Sequence, residues 1–412
     1  MGRPARTDLA ISAVLAFSLF GDSLLYNVLP LYAESLGLPL FSVGLLLSAN
    51  RWVRLLSNSA ASRVFRRWGL FWPLMAAAVL GMISTMGYVV PGGLGVFLAA
   101  RLLWGICWSH LRLGAFMAVV AATAQSALGA AMGWMHAITR LGSAATVLFG
   151  GLLVDVVGYH RGVFIMAVLS GGAVVLLLSY RQSLENTTTE HFGPAEAVDD
   201  PAGSPLTHVQ LSPLFCNLSI FAVSLINTGL VMASLSLLLR ERLGTEVVIL
   251  GAALGIATFS GVLHSLRWVS AFIVSPLVGG FSDRWGRWFV YLWLSVVQIA
   301  ALAALALLAE PVLTVLAAVV LFFAGNSLKV VLDAAIGDSV RGLSSALVIG
   351  RFNSASDLGA ASGPLIGYGL VAAIGLTHTY LAGVALLIVV LAAAAAHTAE
   401  RKNTGKEADL CP

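Results

Sequence analysis

The sequence predicts an all-α polytopic membrane protein with twelve transmembrane helices in two pseudo-symmetric six-helix bundles. Three observations carry this prediction. Of the 412 residues, 59% are hydrophobic and only 10% are charged, whereas a soluble domain carries about 25% charged residues. Apolar runs long enough to cross a bilayer recur along the whole chain. Short sequence motifs from the first half also return in the second half at a nearly constant spacing.

The composition excludes several functional classes. So few charged residues cannot cover the surface of a soluble protein of this size, which excludes a soluble enzyme, a disordered chain and a nucleic-acid binder. Cys107, Cys216 and Cys411 are too few and too scattered for a disulfide framework or a zinc site. No G-x-x-x-x-G-K-[ST] loop is present, so ATP hydrolysis is not expected. We therefore expect a non-enzyme without cofactor or metal.

The apolar runs define the order of the predicted helices. A transmembrane helix needs about 20 mostly apolar residues. Twelve runs meet this requirement, at 9–32, 42–62, 71–90, 94–120, 131–157, 162–180, 212–239, 248–280, 288–309, 311–337, 345–373 and 377–398.

A long polar stretch at 182–211 separates the sixth run from the seventh. It is rich in acidic residues and prolines, which is typical of a flexible linker. The predicted organisation is an N-terminal bundle at 1–181, a cytoplasmic linker, a C-terminal bundle at 212–399 and a cytoplasmic tail at 400–412.

The two halves share motifs. The triplet Arg-Trp-Val at 51–53 returns at 267–269, and Arg-Trp-Gly at 67–69 returns at 284–286. Gly142 and Gly150 likewise have counterparts 217 residues later. Repeated spacing in matching helices indicates an internal duplication, and parallel six-helix repeats are one plan of secondary transporters.

The distribution of basic residues predicts the orientation, because cytoplasmic loops of membrane proteins are enriched in lysine and arginine. With both termini in the cytoplasm, the outer loops contain only Arg161, Arg240 and Arg242. The inner side then collects Arg3, Arg6, Arg63, Arg66, Arg67, Arg181, Arg284, Arg287, Arg341, Arg401, Lys402 and Lys406. We expect a multi-pass protein of the cytoplasmic (inner) membrane with both termini inside.

Several motifs resemble those of the major facilitator superfamily. The segment Gly-Gly-Phe-Ser-Asp-Arg-Trp-Gly-Arg at 279–287 is similar to the family's loop signature G-x-x-x-D-R-x-G-R. The matching segment of the first half, at 62–70, has Arg66 where the aspartate belongs. Helix four carries Arg101-Leu-Leu-Trp104-Gly, which is similar to R-x-x-Q-G with tryptophan in place of glutamine.

Helices five and one extend the resemblance. The run Gly142-x-x-x-Thr-Val-x-x-Gly150-Gly resembles the antiporter motif G-x-x-x-G-P-x-x-G-G but lacks its second glycine and its proline. Asp22 followed by Pro30 is similar to helix one of proton-coupled exporters. The resemblance covers essentially the whole chain. It implies two six-helix bundles around a central cavity with rocker-switch alternating access, in which helices 1, 4, 7 and 10 line the cavity and helices 2, 5, 8 and 11 form the contact between the halves.

Charged residues within the spans are candidates for proton coupling, since intramembrane charges are costly and need a role or a partner. The candidates are Asp22, Arg101 and Asp333. Asp22 is the one acid of the first cavity helix, and it could carry the proton of a coupled cycle. Alternatively it forms an ion pair that packs helices one and four. Lys329 and Asp333, four residues apart on one helix face, could equally form a self-neutralised structural pair.

A second group is predicted to bind substrate. Arg140 on helix five and Arg267 on helix eight would face each other, and guanidinium groups at low dielectric attract carboxylates, phosphates and sulfonates. The alternative is that Asp22 or a backbone carbonyl neutralises Arg140. The full group is Arg112, Arg140, Arg267, Lys329, Trp104 and Trp108; the two tryptophans could stack on a lipophilic substrate or serve as packing.

A third group is predicted to control the contact between the bundles. Asp357 is expected near the depth of Arg51 or Arg54, where a bridge would hold one access state closed. In the loop signature, Asp283 could accept hydrogen bonds from a helix N-terminus, and Arg284 and Arg287 could meet helix ends or lipid phosphates. In the family this loop latches one conformation. The embedded histidines could relay protons or simply pack, and the stripe Gly359, Gly363, Gly367 serves close packing or bending.

Taken together, the sequence predicts a secondary active transporter that couples proton movement to the export of a small amphipathic or anionic compound. Two alternatives stay open: proton-coupled uptake of an organic anion, and a non-transporting membrane scaffold or sensor with the same fold. The expected partners are a small-molecule substrate, protons and membrane lipids, with no nucleic acid and a monomeric state.

Overall fold

The computed structural model describes residues 6–90, 92–123, 128–187, 212–249, 252–308, 310–339 and 345–408. Almost all of them are helical. In chain order the elements are α1 Arg6–Ser18, α2 Phe20–Tyr32, α3 Leu40–Trp68, α4 Phe71–Gly87, α5 Gly93–Ala122, α6 Leu128–Val157, α7 Tyr159–Ser170, α8 Gly172–Ser179, α9 Arg181–Thr187, α10 Pro213–Val223, a π-helical segment Ser224–Val231, α11 Met232–Leu243, β1 Glu246–Ile249, β2 Ala252–Gly255, α12 Ile256–Trp285, α13 Arg287–Leu307, α14 Pro311–Ser339 and α15 Ser345–Ala408.

Many of these helices have the length and apolar character of membrane spans, as the sequence predicts. Within the described part of the chain, eight helical stretches meet both requirements: Leu9–Tyr32, Gly93–Ala122, Ala131–Val157, Tyr159–Ser179, Pro213–Leu243, Arg287–Leu307, Pro311–Ile336 and Arg351–Ala396. The number twelve stays a prediction. The last of the eight covers most of two predicted runs, 345–373 and 377–398. Gly375 lies between these runs, and its positive φ of 79° interrupts the helical geometry of α15.

Two predicted runs contain a single residue between helices. Leu19 lies between α1 and α2, and Gly171 lies between α7 and α8. Both residues keep right-handed helical φ and ψ angles. Leu9–Tyr32 and Tyr159–Ser179 are therefore each one continuous span.

The seventh and eighth runs differ from the sequence-based prediction. The middle of the seventh is π-helical over Ser224–Val231, and such segments often occur at functional positions. The eighth was expected to begin at 248, but α12 begins at Ile256. The strands β1 and β2 precede it as an antiparallel pair, with Glu246 opposite Gly255. Consecutive β-branched residues at 247–249 favour a strand over a helix at this point.

Two other predicted regions are only partly described. The helix α9 includes 182–187, so the first residues of the predicted linker are helical; its remainder, 188–211, lies outside the described residues. The helix α15 continues to Ala408 and so includes most of the predicted tail. The last residues of that tail, 409–412, lie outside the described residues. The assignment of these segments as linker and tail stays a prediction.

The described chain divides into two compact units. Unit 1 comprises the described part of Met1–Gly203 together with Leu235–Val269. Its apolar core joins α1, α3, α4, α5, α6 and α8, with Phe65, Leu74, Trp104 and Leu111 among the buried side chains. The stretch 235–269 therefore belongs with the N-terminal helices, although it follows the predicted linker.

Unit 2 comprises the described part of Ser204–Ser234 together with Ser270–Pro412. The glycine stripe of α15 allows close helix packing within it. A Cβ added at Gly363 would contact the backbone of Gly229, and one added at Gly359 would contact the carbonyl of Phe221. Of the two roles considered for the stripe, close packing is thus present. Small residues allow this approach in membrane helices.

Candidate functional site

The candidate site lies in unit 1 and begins with an ion pair between α2 and α5. Arg101 Nη1 lies 2.5 Å from Asp22 Oδ1, and the side chains are 0% and 14% exposed. Arg101 Nε donates to the carbonyl of Leu46 at 2.9 Å, and Asn50 Nδ2 donates to the same Asp22 oxygen at 3.1 Å. A buried guanidinium needs such partners because its charge is costly away from water. Three helices are therefore joined at Asp22.

Tyr26 lies one helical turn after Asp22 and contacts two guanidinium groups. The Cζ of Arg51 is 5.2 Å from the centre of its ring, and that of Arg101 is 5.7 Å away. Both distances are within the range of a cation–π interaction. Its hydroxyl donates to the carbonyl of Leu47 at 3.1 Å. Tyr26 is thereby fixed between α2 and α3, with a cation close to its ring from each of two helices.

Three arginines from three helices form a cationic group beside this tyrosine. Arg51 on α3 and Arg140 on α6 both act electrostatically on Arg267 of α12, and so does Tyr26. Arg267 is 7% exposed, and its Cζ lies 5.0 Å from the ring of Trp268. Arg51 is half-buried and Arg140 is exposed. We call Arg51, Arg140 and Arg267 the arginine cluster. The summed positive potential of three guanidinium groups makes the cluster a favourable environment for an anion.

A polar seam joins α6 to the start of α12 in the same unit. Asp155 Oδ2 accepts hydrogen bonds from the backbone N–H of Thr258 at 2.7 Å and from its hydroxyl at 2.5 Å. Asn27 of α2 donates to the carbonyl of Ala257 at 2.8 Å and accepts from the hydroxyl of Ser260. An acidic side chain at a helix N-terminus satisfies unpaired N–H groups and matches the helix dipole. The seam thus holds α12 against α2 and α6.

The predicted tryptophans lie in the core. Trp104 is 1% exposed and stacks on Trp108 with ring centres 6.0 Å apart. Trp108 is half-buried and packs against the same core. Trp104 thus packs in the core of unit 1, and its predicted contact with a substrate stays a prediction. No metal site is evident: among the described residues, no three or more His, Cys, Asp or Glu side chains cluster as potential ligands.

Three other predicted residues, Arg112, Lys329 and Asp333, are exposed at the surface of their helices. Arg112 on α5 is exposed. Lys329 and Asp333 on α14 form the expected pair, with Nζ 3.0 Å from Oδ1, and both are about half exposed. The helix α14 belongs to unit 2.

The predicted gating residues lie on α3, α12, α13 and α15. Arg54 is half-buried on α3, and Asp357 is exposed on α15. Their predicted bridge stays a prediction. In the loop signature, Arg287 Nη2 lies 2.5 Å from Asp283 Oδ1, and Arg287 also donates to the hydroxyl of Ser282. Arg284 is exposed at the end of α12.

Sequence reasoning missed several residues of the site. Tyr26 and Asn50 were not singled out, although Tyr26 follows Asp22 at the i, i+4 spacing that places side chains on one helix face. Asn27 was also missed; an asparagine inside an apolar run is itself a signal, because a buried amide needs partners. Asp155 was also missed; it lies near the end of α6, and its carboxylate accepts two hydrogen bonds from Thr258.

Solved structures with similar folds are membrane transporters. A bacterial homologue of the human lysosomal transporter Spinster, in an inward-facing and occupied conformation, aligns with a TM-score of 0.73 at 14% identity over 95% of this chain and 96% of that chain. A mutant of the nucleoside transporter NupG gives 0.72 at 16% identity, covering 94% and 98%. A POT family transporter in complex with 5-aminolevulinic acid gives 0.76 at 12% identity, covering 96% of both chains. At these identities the likeness concerns the fold alone.

Sequence comparison gives the family. No curated protein sequence matches the chain. The sequence profile of the Major Facilitator Superfamily matches residues 11–328, a range that includes the ion pair, the arginine cluster and the loop signature. Together with the helical fold and the similar transporter structures, this match makes the protein a multi-pass membrane transporter rather than an enzyme. The chain belongs to the Major Facilitator Superfamily.

Proposed function

We propose that this protein is a secondary transporter of a small anionic or amphipathic compound, and that the arginine cluster binds its anionic group. The observation that carries the proposal is that Arg51 of α3 and Arg140 of α6 both lie within electrostatic range of Arg267 on α12. Three guanidinium groups from three helices together create a positive potential that attracts an anionic group. Arginine also recognises carboxylate and sulfonate groups with a rigid, bidentate geometry.

The aromatic neighbours support an amphipathic substrate. Tyr26 and Trp268 each lie about 5 Å from a guanidinium of the cluster, at 5.2 and 5.0 Å. A flat substrate with one acidic end could therefore find both ring faces and cations in the same place. A POT family transporter of similar fold binds 5-aminolevulinic acid, which has a carboxylate and an ammonium group, so the fold can hold a compound that carries a carboxylate.

Proton coupling is the second part of the proposal. Asp22 pairs with the fully buried Arg101, whose guanidinium lies against the same Tyr26 ring as Arg51 of the cluster. Protonation of Asp22 would release Arg101 from its counter-charge and add a fourth cation to the same region. Substrate anion and proton occupancy would then depend on each other, which is the basis of coupled transport. Asp333, paired with Lys329 in unit 2, is proposed as a second proton-dependent group.

Gating and direction complete the proposal. The residues Arg51, Arg54 and Asp357, and the loop residues Asp283, Arg284 and Arg287, are proposed to control exchange between access states. The proposed direction is export, supported by the similarity of Asp22 and Pro30 to helix one of proton-coupled exporters. The proposed cytoplasmic termini rest on the excess of basic residues on that side.

The first test measures ligand-induced thermal stabilisation of the purified protein in detergent. Three ligands with the same naphthalene ring and different charges are compared: naphthalenesulfonate, its neutral sulfonamide, and naphthylmethyl-trimethylammonium. Binding to the folded state raises the melting temperature. We expect stabilisation by the sulfonate only, and its loss in Arg267→Ala and Arg140→Ala. The control is Arg161→Ala, an exposed arginine on α7, which should keep the response. Stabilisation by the trimethylammonium compound alone would contradict the anion proposal.

The second test concerns coupling. In proteoliposomes with an imposed pH gradient and equal sulfonate concentrations on both sides, transport should build up a concentration gradient of the sulfonate. Asp22→Asn should retain downhill exchange and lose uphill flux. An Asp22→Asn variant that still drives uphill flux would remove Asp22 from the proton pathway while leaving the arginine cluster untouched.

A further inference from the structure

Two apolar grooves occupy equivalent positions in the two halves of the sequence. The first lies between the end of α3 and the start of α4, with a volume of about 460 Å³. Its lining residues are Val64, Trp68, Trp72, Pro73 and Ala76. Trp68 and Trp72 are 63% and 55% exposed. Rings this large and this exposed on a membrane protein face lipid or the membrane interface.

The second groove lies between the end of α12 and the start of α13, in unit 2, with a volume of about 630 Å³. It is lined by Leu277, Val278, Phe281, Phe289, Val290, Trp293 and Leu294. Four lining positions of the first groove, 64, 72, 73 and 76, return 217 residues later among these residues. The repeat that duplicates the helices has therefore also duplicated the groove.

The tryptophan at the end of the helix is common to both grooves. Trp68 of the first corresponds to Trp285 beside the second. Trp285 stacks on Phe281 and Phe289 with ring centres 5.5 and 6.0 Å apart. Each groove thus presents an apolar floor and an aromatic wall next to the loop that carries the family's signature.

The grooves differ in the charge at their rims. The first follows a helix end with three exposed arginines, Arg63, Arg66 and Arg67. The guanidinium of Arg181 adds a fourth cation, 5.4 Å from the ring of Trp72, although it is also hydrogen-bonded to a glutamate of its own helix. In the second half, Asp283 stands at the position of Arg66, and it pairs with Arg287 at 2.5 Å. The second rim also contains Arg284, the counterpart of Arg67. The first rim is therefore strongly cationic, whereas at the second Asp283 offsets one of two arginines, Arg284 and Arg287.

We propose that the first groove is a binding site for one anionic phospholipid, with an acyl chain along Trp68 and Trp72 and the phosphate held by Arg63, Arg66 and Arg67. Arginine binds phosphate through charge-assisted, bidentate hydrogen bonds. Basic clusters next to a membrane helix attract anionic lipids. The predicted cytoplasmic position of this loop places the rim at the leaflet that carries most anionic lipid. This site is separate from the arginine cluster and does not depend on what is transported.

The charge difference gives a direct test by native mass spectrometry of the full-length protein. Phosphatidylglycerol and phosphatidylcholine with identical acyl chains are titrated, and bound lipids are counted. One basic residue at an anionic lipid contributes about fivefold in affinity. Arg66→Asp gives the first rim the acid of the second, so we expect phosphatidylglycerol to bind at least about fivefold more weakly, with phosphatidylcholine unchanged.

Two further variants make the test independent of folding losses. Asp283→Arg gives the second rim the arginine that Arg66 supplies at the first, and we expect one additional tightly bound phosphatidylglycerol, a gain that misfolding cannot produce. Trp72→Ala should weaken the binding of both lipids at the first groove. Equal phosphatidylglycerol binding by wild type and Arg66→Asp, or an unchanged count in Asp283→Arg, would overturn the proposal. Tight binding of both lipids that Trp72→Ala does not affect would also overturn it.

Discussion

Replacing Asp22 with asparagine tests how the ion pair with Arg101 supports the fold. The substitution keeps the size of the side chain and an oxygen that can accept the hydrogen bonds of Arg101 and Asn50. It removes the negative charge. Arg101 is 0% exposed, so its guanidinium would keep the bond to the carbonyl of Leu46 but would lose its counter-charge inside the protein.

The expected magnitude follows from these contacts. Breaking a buried ion pair from one side costs about 3–5 kcal/mol, because the remaining charge is left uncompensated. The retained amide oxygen offsets part of this cost, so we expect Asp22→Asn to lower the free energy of unfolding by about 3 kcal/mol. Asp22→Ala also removes the acceptor for Asn50 and should approach about 5 kcal/mol.

Equilibrium unfolding in mixed dodecyl sulfate and dodecyl maltoside micelles, followed by circular dichroism, measures this quantity. The double variant Asp22→Leu with Arg101→Leu removes both charges and should lose much less than the sum of the single losses. The control is Glu185→Gln, whose ion pair with Arg181 is 40–49% exposed and should contribute less than about 0.5 kcal/mol. A loss below about 0.5 kcal/mol in Asp22→Asn, or additive losses in the double variant, would refute the reasoning.

Three further predictions concern packing and local charge. Gly151→Val places a Cβ 2.5 Å from a carbonyl of α12 and should cost about 1–3 kcal/mol by overpacking, whereas Gly133→Val on the same helix, with nothing within 4 Å, should cost less in the same unfolding assay. Asp155→Ala removes the acceptor for Thr258 at the start of α12 and should cost about 1 kcal/mol, with faster hydrogen exchange in the first turn of α12 than in its middle. Lys329→Ala should change the free energy of unfolding by less than about 0.5 kcal/mol, because its ion pair is half exposed. A loss of transport flux in this stable variant would then mark a role in transport.

Much of the fold was accessible from the sequence for physical reasons. A bilayer requires long apolar helices with internally satisfied backbone groups, so hydropathy alone located the helical runs. The exceptions are local. Val247 and Val248 lie in a strand, and residues 224–231 are π-helical; neither feature changes hydropathy, so a count of apolar residues could not detect them.

The site was less predictable than the fold. The nearness of Arg51, Arg140 and Arg267 depends on how three helices are rotated about their axes, which apolar periodicity determines only weakly. The internal repeat aligns Arg51 with Arg267, but Arg51 was predicted to lie at the contact between the bundles rather than beside Arg267. Asn27 and Asp155 act through backbone groups of α12, and those partners carry no signature in the sequence.

The most direct test of the account is the flux of labelled naphthalenesulfonate in proteoliposomes containing wild type, Arg267→Ala or Arg267→Lys. If the arginine cluster binds the anion, Arg267→Ala should lower flux at limiting substrate by about tenfold or more, the value of a charge-assisted hydrogen bond. Arg267→Lys should recover part of the loss, because it restores the charge without the planar fork. Equal sulfonate flux in all three proteins would contradict the central claim.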